Sequence, residues 1–400
     1  MIFRPQAMEF LQRWREKNVI KVVSGIRRCG KSTLLQMFRD SLLKEGVSPD
    51  NITFLNFEDM SYEELALDIH KLHAYIGQHL QTEGMNYIFL DEIQHVNGFE
   101  RVVDSLYIKP NVDIYITGSN AYFMSGELAT LLSGRYVELK LLPLSFAEYC
   151  SAPGAAGKSL AQNYRSYISK SSMPYTLELD SDIALMEYLR GTYSTVILKD
   201  VVARFGISDV AMLESVTAFL LDAVGNIISP RKIADTMTSM GRKIDGRTVE
   251  KYIKALTDSM LFYRAPRYDL KGKQLLDNSA KYYTADIGFR RLMSAGHRPD
   301  SGHVLENVIY LELLRRGYKV YVGKPTDGEI DFVVMRGSEL AYYQVSLSVL
   351  DEATLRRELA PLEKINDNYP KYLLTLDEML PDESYGGIIR RNALEWLTEE

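Results

Sequence analysis

Short apolar runs rich in β-branched residues alternate with amphipathic stretches through the first part of the chain. The runs at residues 19–24, 51–59, 85–90 and 113–117 are typical of buried strands. Residues 32–39 follow the first run and combine helix-forming side chains with one apolar face. Because strands alternate with helices, the pattern predicts an α/β fold with a parallel sheet.

From about residue 151 the pattern changes. Small residues at 151–157 indicate a boundary, and residues 183–205 have a helical pattern. Three further helices and a hairpin around a turn at 269–273 then resemble a winged helix-turn-helix. The second of these helices begins with Ser229 as its N-cap and Pro230 at its first position. These helices and the two hairpin strands are predicted at residues 211–224, 230–241, 245–256, 261–264 and 281–283.

The last part of the chain has a third pattern. A helix opens at Leu305, and two strands follow at residues 328–334 and 341–346. We therefore predict a small α/β domain at the end and three domains in total. Their predicted bounds are residues 1–150, 151–290 and 291–400.

Composition narrows the class of protein. The 400 residues are 46% hydrophobic and 25% charged with a net charge of −6, which excludes a uniformly basic nucleic-acid coat but allows a local basic face. No apolar run approaches the about 20 residues of a membrane span, and the first six residues lack a signal-peptide core. The only cysteines, Cys29 and Cys150, cannot form a disulfide framework. We expect a cytoplasmic protein without a membrane partner.

The segment GIRRCGKS at residues 25–32 fits the phosphate-binding pattern G-x-x-x-x-G-K-[ST] between a predicted strand and helix. Its glycines let the backbone curve around a phosphate, and its amides donate to the anion. Lys31 is expected to reach the β- and γ-phosphates of ATP, and Ser32 to offer its hydroxyl to Mg²⁺. The residues expected to cradle the nucleotide are Gly25, Ile26, Arg27, Arg28, Cys29, Gly30, Lys31, Ser32 and Thr33.

Two adjacent carboxylates end the predicted strand YIFLDE. A P-loop enzyme needs one acid to hold Mg²⁺, and Asp91 fits that role. A second acid can orient or deprotonate the attacking water, and Glu92 fits that role. The pair predicts hydrolysis of ATP to ADP and phosphate rather than binding alone.

Two further polar positions follow the next strand. Ser119 or Asn120 is placed to sense the γ-phosphate, although the same residues also suit a simple turn. Arg135 is either an arginine finger supplied to a neighbouring subunit or a surface arginine in a turn. If Arg135 is an arginine finger, the protein must form a homo-oligomer to hydrolyse ATP.

The stretches GIRRCGKST, YIFLDEIQ, ITGSN and LSGRYVELKLLPLSFAEY together resemble the AAA-type ATPases that are widespread in bacteria and archaea. The resemblance extends over almost the whole chain. It implies an ATP-hydrolysing molecular switch or motor that uses Mg²⁺, followed by a nuclease-like C-terminal domain of unknown function.

The third helix of the winged-helix segment carries a basic outer face, which favours contact with duplex DNA in the major groove. This supports an alternative function, an ATP-gated DNA-binding regulator. Protein docking or a lid role suits a winged helix equally well. The basic residues are Arg242, Lys243, Arg247, Lys251 and Lys254, with Lys271 and Lys273 on the hairpin turn.

The last domain resembles the PD-(D/E)XK nuclease core, in which carboxylates hold Mg²⁺ and a lysine orients water. Glu306 and Asp331 match that motif, but Gln344 and Ser346 replace its second strand carboxylate and its lysine. Glu329 lies two residues before Asp331 and is a candidate replacement ligand. We expect a nuclease-like fold whose nuclease activity is lost, with an ATP-dependent nuclease as the remaining alternative.

Overall fold

The computed structural model describes residues 2–118, 132, 134–293, 300–326, 328–378 and 383–399. These residues form two compact units. Unit 1 consists of Met1–Pro143 with Asp258–Met260, and unit 2 of Leu144–Thr257 with Leu261–Glu400. Within the described ranges, no helix has the length and apolar character that a membrane crossing requires.

Unit 1 alternates strands with helices, as the sequence predicts. Its elements are α1 (Pro5–Trp14), β1 (Ile20–Ser24), α2 (Lys31–Lys44), β2 (Ile52–Asn56), α3 (Glu63–Leu67), α4 (Ile69–His79), β3 (Asn86–Asp91), α5 (Phe99–Tyr107), β4 (Val112–Thr117) and β5 (Tyr136–Lys140).

The five strands form one sheet in the order β2-β3-β4-β1-β5, and every neighbouring pair is parallel. The predicted parallel α/β fold is therefore confirmed. All residues of β1 and β3 are buried, as expected for strands covered on both faces. Because the strands are parallel, Ser24, Asp91 and Thr117 end at the same edge of the sheet.

Unit 2 begins with helices and ends in a mixed sheet. Its elements are α6 (Phe146–Cys150), α7 (Leu160–Ser169), α8 (Asp182–Thr195), α9 (Val210–Asp222), α10 (Pro230–Ser239), α11 (Gly246–Asp258), β6 (Phe262–Asp269), β7 (Gln274–Thr284), α12 (Gly288–Met293), α13 (Ser301–Arg315), β8 (Lys319–Lys324), β9 (Ile330–Arg336), β10 (Glu339–Ser346), α14 (Glu352–Glu363), β11 (Lys371–Thr375), β12 (Glu383–Tyr385), β13 (Ile388–Asn392) and α15 (Ala393–Thr398).

The three helices predicted for the winged-helix segment are present as α9, α10 and α11. Ser229 caps α10, since its side chain accepts a hydrogen bond from the Lys232 amide at 3.2 Å and Pro230 is the first helical residue. The helix predicted over 183–205 is α-helical as α8 and continues as a π-helix over Val196–Ala203. A π-helix leaves no sequence signature as plain as a proline, so the change of winding was not predicted.

The predicted hairpin strands are also present, as antiparallel β6 and β7. Residues Arg267–Asp269 of β6 pair in parallel with Val322–Lys324 of β8, so the hairpin belongs to an eight-stranded sheet in the order β12-β13-β11-β10-β9-β8-β6-β7. The predicted boundary at residue 290 therefore falls among strands that share one sheet. The structure divides into two compact units, and the division into three domains remains a prediction.

Candidate nucleotide-binding site

The loop predicted to bind phosphate connects β1 to α2. Gly30 has a φ of +102°, a conformation that favours glycine, and α2 begins at the next residue, Lys31. Among the described residues, no side chain caps the start of α2. The amides of its first turn are therefore available to an anion, which the helix dipole also favours.

Gly25 lies at a point of close backbone approach. A Cβ atom added to it would lie 2.7 Å from Cys29 Sγ and against the carbonyl oxygen of Leu141, so a larger residue would displace the loop. Cys29 is buried, and burial raises the pKa of its thiol. We therefore interpret its side chain as part of the packing of the loop rather than as a nucleophile.

Arg4 holds the outer side of the same loop. Its buried guanidinium donates to the carbonyl oxygen of Cys29 at 3.2 Å and to that of Leu142 at 2.9 Å. Sequence reasoning missed this residue because it lies 25 positions before its partner. The contact fixes the loop to the chain that follows β5.

Lys31 folds back over the loop. Its buried ammonium donates to the carbonyl oxygen of Gly25 at 3.2 Å and lies 3.8 Å from Glu92 Oε1. The structure thus brings together the predicted lysine and one of the two predicted acids.

Asp91 is fully buried at the end of β3. Its Oδ1 accepts a hydrogen bond from the Thr117 hydroxyl at 2.5 Å, and its Oδ2 lacks a hydrogen bond of ordinary geometry within the part of the chain that the structure describes. Burial raises the pKa of Asp91, and the Thr117 hydroxyl, together with the nearby hydroxyl of Ser32, opposes this shift. A buried carboxylate with a spare oxygen, beside the Ser32 hydroxyl, has the donor set that Mg²⁺ prefers.

Glu92 has a backbone conformation that is uncommon for its residue type. Its φ is +54°, in the left-handed region that costs a non-glycine residue about 1–3 kcal/mol unless the surroundings hold it. The backbone amide of Glu92 donates a hydrogen bond to the Thr117 hydroxyl at 2.9 Å, and the Gln94 side chain donates to Glu92 Oε2 at 2.5 Å. These contacts fix the Glu92 carboxylate near Lys31.

Thr117 and Gln94 contact the candidate acids and were not predicted from the sequence. Thr117 contacts both acids and ends β4, the strand beside β3. A polar residue at the end of a neighbouring strand was the available signal, but Ser119 and Asn120 were predicted in its place. Those two residues lie outside the described residues.

Arg135 lies at the other end of the sheet. Tyr136 pairs with Ile20 and Lys140 with Ser24, so Arg135 precedes the amino end of β5 while the loop follows the carboxyl end of β1. A strand of this length spans about 13 Å. Arg135 stacks on Tyr107 and lies 3.9 Å from Asp104. It is therefore remote from the loop of its own chain, and a role in a neighbouring subunit stays a prediction.

A third acid lies near Glu92. One carboxylate oxygen of Glu58, one of Glu92 and a ring nitrogen of His95 all lie within 4.8 Å of one another. Glu58 and His95 are exposed, and Arg27 donates to Glu58 at 3.4 Å. Neither Glu58 nor His95 was predicted from the sequence to belong to a site.

The predicted basic face lies in unit 2. Arg247, Lys251 and Lys254 recur along one exposed side of α11, while Val249 and Leu256 are buried on the other. Exposed cations precede this helix as well, at Arg242 and Lys243.

Comparison with known proteins agrees with this geometry. Residues 17–150 match the family described as AAA domain, and residues 161–299 match a domain of unknown function (DUF8612). An uncharacterised protein of Haemophilus influenzae is 38% identical over 402 residues, which cover 100% of this chain and 99% of that protein. An uncharacterised protein of Methanocaldococcus jannaschii is 28% identical over 360 residues, which cover 87% of this chain and 78% of that protein.

Among solved structures, the Walker-type ATPase of Pyrococcus abyssi is similar at 16% identity and a TM-score of 0.37, covering 73% of this chain and 96% of that one. The AAA domain match spans the loop at 25–32 and the acids at 91 and 92, and the Haemophilus relative aligns from end to end. Residues 17–150 of the chain therefore belong to the AAA domain family of P-loop proteins, and the whole chain is a homologue of the Haemophilus protein.

Proposed function

We propose that this protein hydrolyses ATP with Mg²⁺ and works as an AAA-type molecular switch or motor. The observation that carries the proposal is the group formed by Lys31, Asp91 and Glu92 at the edge where the loop leaves the sheet. A buried lysine, a buried carboxylate with a spare oxygen and a second fixed acid lie there together.

Each residue has a separate task in this proposal. The loop from Gly25 to Gly30 and the first turn of α2 bind the phosphates through backbone amides. Lys31 exchanges its contacts with Gly25 and Glu92 for phosphate oxygens. Ser32 and Asp91 hold Mg²⁺, which when bound neutralises the charge on the phosphate groups. Glu92 orients the attacking water and accepts its proton.

Phosphate release from ATP by the purified protein tests this proposal. We expect steady turnover in Mg²⁺ that stops when EDTA removes the metal. Turnover that is equal with and without EDTA would contradict the assigned roles of Ser32 and Asp91.

Hydrolysis is further proposed to require a homo-oligomer in which Arg135 reaches the nucleotide of a neighbour. Two observations support this proposal. Arg135 lies away from the loop of its own chain, and its side chain is 46% exposed. Arg135→Ala and Lys31→Ala should each lack turnover, whereas a mixture should recover part of it, because the second variant supplies Arg135 to the intact loop of the first. A mixture as inactive as its components would count against this arrangement.

A second candidate function is an ATP-gated regulator that binds duplex DNA through α11. The exposed cations at positions 247, 251 and 254 favour it, although Glu250 on the same side reduces the net charge. If these cations contact phosphates, the negative slope of log affinity against log salt should become shallower by about 2 in the double variant Lys251→Ala/Lys254→Ala. Lys44→Ala/Lys319→Ala, which removes two exposed lysines elsewhere, is the matched control. Equal slopes in both double variants would remove this candidate.

A further inference from the structure

Unit 2 contains a buried ammonium group among three carboxylates. Lys281 Nζ on β7 lies 2.7 Å from Glu306 Oε1, 2.7 Å from Glu329 Oε1 and 3.3 Å from Asp331 Oδ1. The lysine side chain is 5% exposed, and those of Glu306 and Asp331 are 8% and 13% exposed. Lys281 is therefore the positive group at the centre of the acidic cluster that resembles a nuclease metal site.

Further hydrogen bonds hold the acids in place. The Tyr283 hydroxyl donates to Glu306 Oε1 at 2.5 Å, and the Val345 amide donates to Asp331 Oδ2 at 3.0 Å. The acids come from two places in the sequence: Glu306 lies on α13, and Glu329 and Asp331 lie two residues apart where β9 begins, while Lys281 lies on β7. Their convergence on one nitrogen is therefore built by the fold rather than by a local turn.

The two residues that depart from the nuclease motif take part in other contacts. Gln344 Oε1 accepts from the Asp331 amide at 3.3 Å, and its Nε2 donates to Glu358 at 2.9 Å. The Ser346 hydroxyl donates to the carbonyl oxygen of Ser348 at 3.2 Å. Neither residue supplies a charge to the cluster, so its charge balance depends on Lys281.

An ammonium group and a divalent metal compete for such a position. An ammonium donates up to three hydrogen bonds at about 2.7–2.9 Å. The two glutamate oxygens lie at 2.7 Å from Nζ, and the Asp331 oxygen lies farther away at 3.3 Å. Mg²⁺ requires oxygen ligands at about 2.0–2.1 Å in an octahedral arrangement, so it cannot share the space with Nζ. Because Lys281 is part of the chain, it is present at the site whatever the metal concentration.

We propose that Lys281 is the resident cation of this cluster and occupies the position that a divalent metal takes in a three-carboxylate site. While its ammonium is in place, Glu306, Glu329 and Asp331 bind neither Mg²⁺ nor Mn²⁺. Replacing it with an uncharged side chain of similar length opens a site for a hard divalent cation. This arrangement gives a physical reason to expect no metal centre among these three acids.

Titration with Mn²⁺, followed by the electron paramagnetic resonance signal of the free ion, tests the proposal on the full chain without nucleotide. Lys281→Met should gain one Mn²⁺ site that binds at least about tenfold tighter than any site of the wild type, because the competing charge is gone. Lys281→Met/Asp331→Asn should lose that site. Lys281→Arg, which keeps a cation, should behave as the wild type does.

Removing the lysine leaves three carboxylates without their cation, so folding is checked in the same experiment. The thermal midpoint of Lys281→Met should rise on addition of Mn²⁺ by more than the midpoint of the wild type does. A folded Lys281→Met that gains neither a site nor a thermal shift would overturn the proposal.

The wild type gives a result that does not depend on any variant at position 281. Asp331→Asn should leave its Mn²⁺ titration unchanged. If wild-type protein binds Mn²⁺ at a site that Asp331→Asn removes, the ammonium does not exclude the metal and the proposal fails.

Discussion

Replacing Lys31 by alanine is expected to lower the affinity for ATP by about 10- to 100-fold, the value of one or two hydrogen bonds to charged groups. The expectation follows from the position of its ammonium, which is buried over the loop beside Gly25 and Glu92. Equilibrium binding of a fluorescent ATP analogue measures the change.

A matched control lies on the same helix. Lys44 is exposed in the last turn of α2, at the opposite end from the loop. Lys44→Ala should bind the analogue as the wild type does. If Lys31→Ala also binds normally while remaining folded, the assignment of this loop as the nucleotide site is wrong.

Replacing Asp91 by asparagine is expected to have a large effect on metal use. In the wild type Mg²⁺ should strengthen ATP binding, and in Asp91→Asn this gain should fall by at least about tenfold because one charged ligand is lost. Isothermal titration with ATP, in Mg²⁺ and in EDTA, gives the gain for each protein.

The same variant is expected to be at least as stable as the wild type without nucleotide. Burial raises the pKa of Asp91, so the folded state disfavours its charged form. The stability contribution of Asp91 therefore falls as the pH rises from its unfolded pKa through its raised folded pKa. Asparagine does not ionise, so the variant avoids this loss of stability. Its thermal midpoint at neutral pH should be equal to or higher than that of the wild type. A clearly lower midpoint would indicate that Asp91 serves the fold rather than metal binding.

The sequence was sufficient for features that depend on neighbouring residues. The glycine loop, the helix that follows it and the acids at the end of β3 are all local patterns, and the parallel sheet follows from the alternation of strands and helices. The N-cap of α10 was also predictable, because Ser229 and Pro230 are adjacent to the helix that they start.

Features that depend on distant residues could not be predicted in this way. Thr117 contacts Asp91 across 26 positions, and Lys281 contacts Asp331 across 50. The sequence shows each of these residues but not the pairing of strands that brings them together. For the same reason the hairpin of β6 and β7 was predicted, while its pairing with β8 was not.

We propose above all that Glu92 completes a hydrolytic site rather than a site that only binds nucleotide. Phosphate release from Mg²⁺-ATP by wild type and Glu92→Gln, purified in parallel, tests it most directly. Glutamine keeps the size of the side chain but cannot accept a proton, so turnover should fall by about 10²- to 10⁴-fold while ATP binding is retained. Equal phosphate release by the two proteins would contradict the account.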